Sequence, residues 1–100
     1  MYNHELTLIK QVVAEDELGN QTTIEEEKTL LCKLQSIGRN EFYSASTAGL
    51  RPEKIFVIHG YEYNQELLIE FNGDRYSVIR TYANDFEEME LVCERKVSDV

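Results

Sequence analysis

The chain has 100 residues, 42% hydrophobic and 29% charged, which suits one folded domain with one thin core and excludes a disordered chain. Its formal net charge of −9 argues against a DNA-binding surface, which needs clustered Lys and Arg. There is no apolar run long enough for a transmembrane helix, and the start, MYNHELTLIK, lacks the basic-then-apolar pattern of a signal peptide, so a soluble cytosolic domain is expected.

His4–Val13 (HELTLIKQVV) predicts strand one, with Leu6 and Leu8 pointing one way and Ile9 and Val13 the other. The polar stretch Ala14–Gln21 follows, with Gly19-Asn20 as a hairpin turn. Strand two is expected from about Thr22 to Ile37. Its apolar face is Ile24, Leu30, Cys32 and Leu34, opposite Glu25, Glu27, Lys33 and Gln35. A strand this long, with Glu25-Glu26-Glu27 at one end, should project beyond the sheet or bend at a bulge.

Ser36–Pro52 is the one helical candidate. Gly38 or Asn40 can start it, Glu41 favours its first turn, and Gly49 followed by Pro52 stops it. Such a short helix must borrow stability from packing, and Phe42 is the expected anchor. Lys54–His59 (KIFVIH) predicts strand three, buried on both faces beneath the helix, before a turn region at Gly60–Glu66.

Leu67–Glu94 predicts an antiparallel meander. Asn72-Gly73 is a strong type I′ hairpin signal, because that turn needs positive φ at both central residues. It pairs Phe71/Asp74, Glu70/Arg75, Ile69/Tyr76, Leu68/Ser77 and Leu67/Val78. A two-residue turn at Asn84-Asp85 would then pair Arg80/Met89, Val78/Leu91 and Tyr76/Cys93, with Leu67, Ile69, Tyr76 and Val78 inward and Arg75 outside between Glu70 and Glu94. A longer second turn would shift the last strand. The tail Arg95–Val100 is expected to fray. The order is β-β-α-β-β-β-β, a mainly β, six-stranded antiparallel barrel or sandwich with one short helix between strands two and three.

Chemistry-bearing patterns are sparse. Cys32 and Cys93 have neither CxxC nor metal-ligand spacing, so reduced core thiols are expected, with a disulfide between neighbouring strands as the alternative. His4 and His59 lack partners at the spacing of a metal site or a triad, and His59, ending an apolar strand, reads as structural. No phosphate-cradling glycine loop occurs, and no catalytic residue, cofactor or metal is assigned. Arg80 breaks the pattern: the register sets it inward, which requires a paired glutamate from a neighbouring strand or a contact to another subunit. Tyr63 and Tyr82 would face each other if the hairpin extends.

The first hairpin, the stretch SIGRNEFYSASTAGLRPEKIFVI, the NG hairpin leading into YSVIRTY, and the strand MELVCE together resemble the head-tail connector proteins of tailed phages and prophages, the small head-closure or stopper proteins. The resemblance covers nearly the whole chain. It implies a structural, non-enzymatic virion protein at the head-tail junction, present in the host cytoplasm before assembly. Such proteins are monomers in isolation that join into an oligomeric ring below the portal and its adaptor. The ring closes the DNA channel after packaging and gives tail proteins a platform. On this view Ser36–Glu53 plugs or lines the channel, and Arg39, Glu41, Tyr43, Arg51 and Arg80 are protein-interface candidates. An acidic channel wall would repel phosphates, and Asp16, Glu17, Glu25, Glu26 and Glu27 are its candidates. The competing reading is an acidic β-barrel interaction module that binds a partner at an exposed sheet edge.

Overall fold

A computed structural model describes residues 2–83 and 87–96. Strands β1 (His4–Glu15), β2 (Gln21–Gln35), β3 (Pro52–His59), β4 (Leu68–Phe71), β5 (Asp74–Ala83) and β6 (Glu88–Arg95) close into an antiparallel barrel in the order β1-β2-β3-β6-β5-β4. One helix, α1 (Arg39–Thr47), lies between β2 and β3. The barrel and its helix are therefore as the sequence predicts. Closure removes the edges that a flat sheet of these strands would expose.

The interior is filled by Leu6 and Leu8 of β1, Leu30 and Cys32 of β2, Phe56 and Ile58 of β3, Ile69 and Phe71 of β4, Tyr76 of β5, and Leu91 and Cys93 of β6. Phe56 is fully buried and meets Phe71 and Tyr76 edge to face, at centroid distances of 5.1 and 5.5 Å. The two cysteines are free thiols, both buried, and desolvation pushes Cys32 up to about 11 and Cys93 up to about 12. A second cluster, Ile55, Val57 and Val92, lies on the outer face and is covered by Ile37 on the way into α1. Strand β3 is thus buried on both faces, as its unbroken apolar run requires.

The Asn72-Gly73 turn forms in the predicted register, from Phe71↔Asp74 to Leu68↔Ser77. Asn72 has φ 51° and Gly73 φ 84°, the type I′ signature. A Cβ added at Gly73 would meet nothing within 4 Å, so Gly73→Ala acts through backbone strain alone. It is expected to cost about 1 kcal/mol, read as a lower urea midpoint with an unchanged slope.

Leu67 departs from its predicted inward position and is 66% exposed. The Val78 amide still donates to the Leu67 carbonyl at 3.0 Å, but Gln65 has φ 59° and β4 starts only at Leu68, so Leu67 sits at the bend that enters the strand. Glu66 is buried in this bend, its Oε1 accepting a hydrogen bond from the Asn64 amide at 2.6 Å.

The second meander register also differs. Ala83, not Arg80, pairs with Met89, and Val78 pairs with Cys93 and Tyr76 with Arg95. The Asn84-Asp85 turn lies outside the described residues, but the pairing of Ala83 with Met89 requires a connection longer than two residues. A bulge between Val78 and Arg80 then shifts the ladder by one, so Arg80 faces Val92 on the outer face. Arg80 is therefore not inward. Tyr63 and Tyr82 do not face each other either: Tyr63 packs against the interior and donates its hydroxyl to the Glu66 carbonyl, while Tyr82 pairs with Glu90. The C-terminal strand continues through Arg95, and the Lys96 amide donates to the Arg75 carbonyl at 2.9 Å, so ordered pairing extends into the expected tail.

Candidate functional site

Two surfaces stand out, the β1–β2 hairpin and the helical excursion. The hairpin ladder runs unbroken from His4↔Cys32 to Glu15↔Gln21. Only its base belongs to the barrel wall, because β1 pairs with β4 over Thr7–Ile9 and β2 with β3 over Lys33–Gln35. The rest projects, one of the two outcomes expected of so long and charged a strand, and no bulge bends it at Glu25-Glu26-Glu27. Gln21–Thr29 are exposed throughout, so Ile24, at 49% exposure, lies beyond the core that Leu30 and Cys32 enter. Val13 is 69% exposed for the same reason, and Leu34 is 41% exposed near the far end of β2.

The predicted acidic residues all lie on this projection, with different roles. The Asp16 carboxylate closes the turn, its Oδ1 accepting from the Leu18 and Asn20 amides at 2.9 and 2.8 Å. Glu17 is exposed at the tip, Glu26 stands opposite Lys10, and Glu27 opposite Ile9. Glu25 is held by a two-pronged pair with Arg75, Nη1 to Oε2 at 3.0 Å and Nη2 to Oε1 at 3.1 Å. The hydrogen bond from Arg75 keeps the Glu25 carboxyl below the usual range, against a smaller opposing effect of desolvation. Arg75 thus lies between Glu25 and Glu70, the latter 4.0 Å from its Nε, rather than between Glu70 and Glu94. On the other flank the Lys28 ammonium donates to the Glu62 carbonyl at 2.9 Å. The projection is braced at its root and free at its tip.

The helical excursion gathers the interface candidates. Gly38 caps α1 in extended conformation, and Gly49, at φ 80°, ends it while the Leu50 amide returns to the Ala45 carbonyl. Ala45 is the buried residue of α1, whereas the expected anchor Phe42 is 44% exposed and Tyr43 62%. What ties the helix to the barrel wall is polar. Arg80 Nε lies 3.3 Å from Glu41 Oε1, its Nη1 donates to the Tyr82 hydroxyl at 3.0 Å, and that hydroxyl donates to Glu41 Oε2 at 3.5 Å. Glu41 Oε1 is buried with no hydrogen bond of its own, so the Arg80 charge is its compensation. The paired glutamate expected for Arg80 exists, supplied by the helix instead of a neighbouring strand.

Arg39 and Arg51 are exposed at either end of the excursion. Arg51, with Phe42, Ser46, Gly49 and Leu50, lines a cavity of about 390 Å³. Its backbone amide reaches Glu94 Oε1 at 3.5 Å. The structure brings Glu41 and Arg80 together and leaves Arg39, Tyr43 and the Arg51 side chain facing solvent. Sequence reasoning missed Leu18, 86% exposed at the hairpin tip, although an apolar residue between Glu17 and Gly19 in a polar turn was a visible signal. It also missed Tyr82 as the third member of the Glu41 cluster.

Both histidines make ring contacts, His4 meeting Phe71 edge to face at a centroid distance of 6.1 Å. His59 stacks on Tyr2 at a centroid distance of 4.2 Å and places Nδ1 3.4 Å from Glu62, while Lys33 Nζ and the Tyr2 hydroxyl converge on Glu88. Lys33 and then Tyr2 hold the Glu88 carboxyl below its ordinary range. Among the described residues no group of three or more His, Cys, Asp or Glu is placed to hold a metal, and no helix is long and apolar enough to cross a membrane. No protein-family model matches the chain, and no curated protein matches it either.

Proposed function

We propose that the protein is a structural component of a phage or prophage head-tail junction, assembling as a ring under the portal and its adaptor to close the DNA channel and receive the tail. The observation that carries this reading is the combination of a closed barrel, a helix carried between β2 and β3, and a projecting acidic hairpin. The barrel with its helix between β2 and β3 is what the family resemblance implies, and the projecting hairpin adds the acidic surface. Its role is mechanical, with partners recognised by surface and no bond chemistry. A wall of carboxylates lets duplex DNA pass without adhering, and Glu17, Glu26 and Glu27 are exposed for that purpose, whereas Glu25 is engaged by Arg75.

Incubation with a purified portal–adaptor complex tests the proposal. Electron microscopy should show ring density added beneath the portal; no association would overturn it. Binding to duplex DNA at moderate salt would remove the acidic-wall part.

A second reading, an interaction module that adds a partner strand to a sheet edge, is favoured by one observation: among the described residues no strand pairs with the outer part of the β1–β2 hairpin on either side. Capture of an extended peptide by the isolated protein, without portal association, would support it.

A further inference from the structure

Leu18 has 86% of its surface exposed, and its backbone sits in a hydrogen-bonded turn. Besides the two bonds to Asp16 Oδ1, the Asp16 amide donates to the Asn20 carbonyl at 2.9 Å and the Gly19 amide to the Asp16 carbonyl at 3.1 Å. A loop whose backbone is ordered in advance loses less conformational freedom when its tip docks.

The groove beside α1 is a fitting receptor. Phe42 is 44% exposed on its wall, Leu50 is half-buried, and Ser46 and Gly49 leave room between them, since a Cβ at Gly49 would meet nothing within 4 Å. Charge matches as well. The hairpin tip carries Glu15, Asp16 and Glu17, whereas Arg51 lines the groove and Arg39 is exposed at the start of α1. Two tips would repel each other, and a tip and a groove attract. Within one chain the tip precedes β2 and the groove follows it, and an 86% exposed Leu18 does not fill its own groove.

We propose that the hairpin tip of one copy seats in the groove beside α1 of a second copy, Leu18 between Phe42 and Leu50 and Glu17 against Arg51. Tip and groove are different patches, so the contact is head to tail and propagates from copy to copy, closing into a ring where the rotation permits. The inference rests on the ring assembly proposed above for its setting. The tip is a small surface, so the contact is weak between two free copies and accumulates when many are held together.

Mixing a Leu18→Cys variant with a Ser46→Cys variant under mild oxidation tests it. The native thiols are buried and stay silent. The mixed tip-to-groove disulfide is expected to form several-fold faster than the disulfide of either variant alone; equal rates would overturn the contact. Adding Glu17→Arg to the first variant, or Arg51→Glu to the second, should slow the mixed reaction, and combining both should restore it. Unchanged rates across that series would also sink the proposal. The same wild-type protein offered to the portal–adaptor complex separates the two ideas. Ring density without the mixed disulfide leaves the connector and removes this contact, while the disulfide without portal association keeps the contact and removes the connector.

Discussion

Replacing Phe56 with alanine is expected to remove about 3–5 kcal/mol of stability. Phe56 is the largest of the fully buried side chains and its ring contacts Phe71 and Tyr76, so it joins β3, β4 and β5 across the barrel interior. A domain of this size has a total stability of about 5–15 kcal/mol, so the loss is a third or more of the whole. Closed barrels relax poorly into a void because every strand is pinned on both sides, which sets the cost high in the range. Urea unfolding should show a large drop in midpoint with the slope retained. A loss under about 1 kcal/mol would mean that the interior is not packed as described.

The second large effect is expected at Arg80. Arg80→Met strips the buried Glu41 oxygen of its compensating charge and the Tyr82 hydroxyl of a donor. An unsatisfied buried polar group costs about 1–3 kcal/mol; with the Arg80 side chain 37% exposed, water recovers part of this and the lower half applies. Hydrogen exchange should localise the loosening to α1, and Glu41→Leu in the same chain should recover most of the loss, because the pair is then removed together. Stability that is unchanged, with only ring addition at the portal lost, would instead make Arg80 an assembly contact.

The same region shows what could be read from residues and what could not. Asn72-Gly73 specifies both its turn and its register, since only two residues with positive φ join strands in that way, and four of the five pairs it dictates stand in the ladder. Nothing in Val78-Ile79-Arg80 announces a bulge: no glycine stands there, and β-branched residues suit a regular strand equally well. Because side chains alternate, that single extra residue turned Arg80 and Tyr82 outward and gave α1 its polar partner. The helix was legible from Gly38, Gly49 and Pro52, but its anchor was not, because it docks through small Ala45 and a charge pair rather than through Phe42. The acidic hairpin was legible from its length and its glutamates. The Arg75–Glu25 clasp was not, for it joins residues far apart in sequence.

The barrel wall has two narrow seams, three residue pairs between β1 and β4 and three between β2 and β3, while β3–β6 and β5–β6 are zipped along most of their lengths. The first hairpin is thus held to the other four strands less by backbone pairs than by side chains, with Leu6, Leu8, Leu30 and Cys32 sharing the one interior. Parting these seams would bare that shared interior, so exchange of the seam amides is expected to follow global unfolding rather than a cheaper local opening.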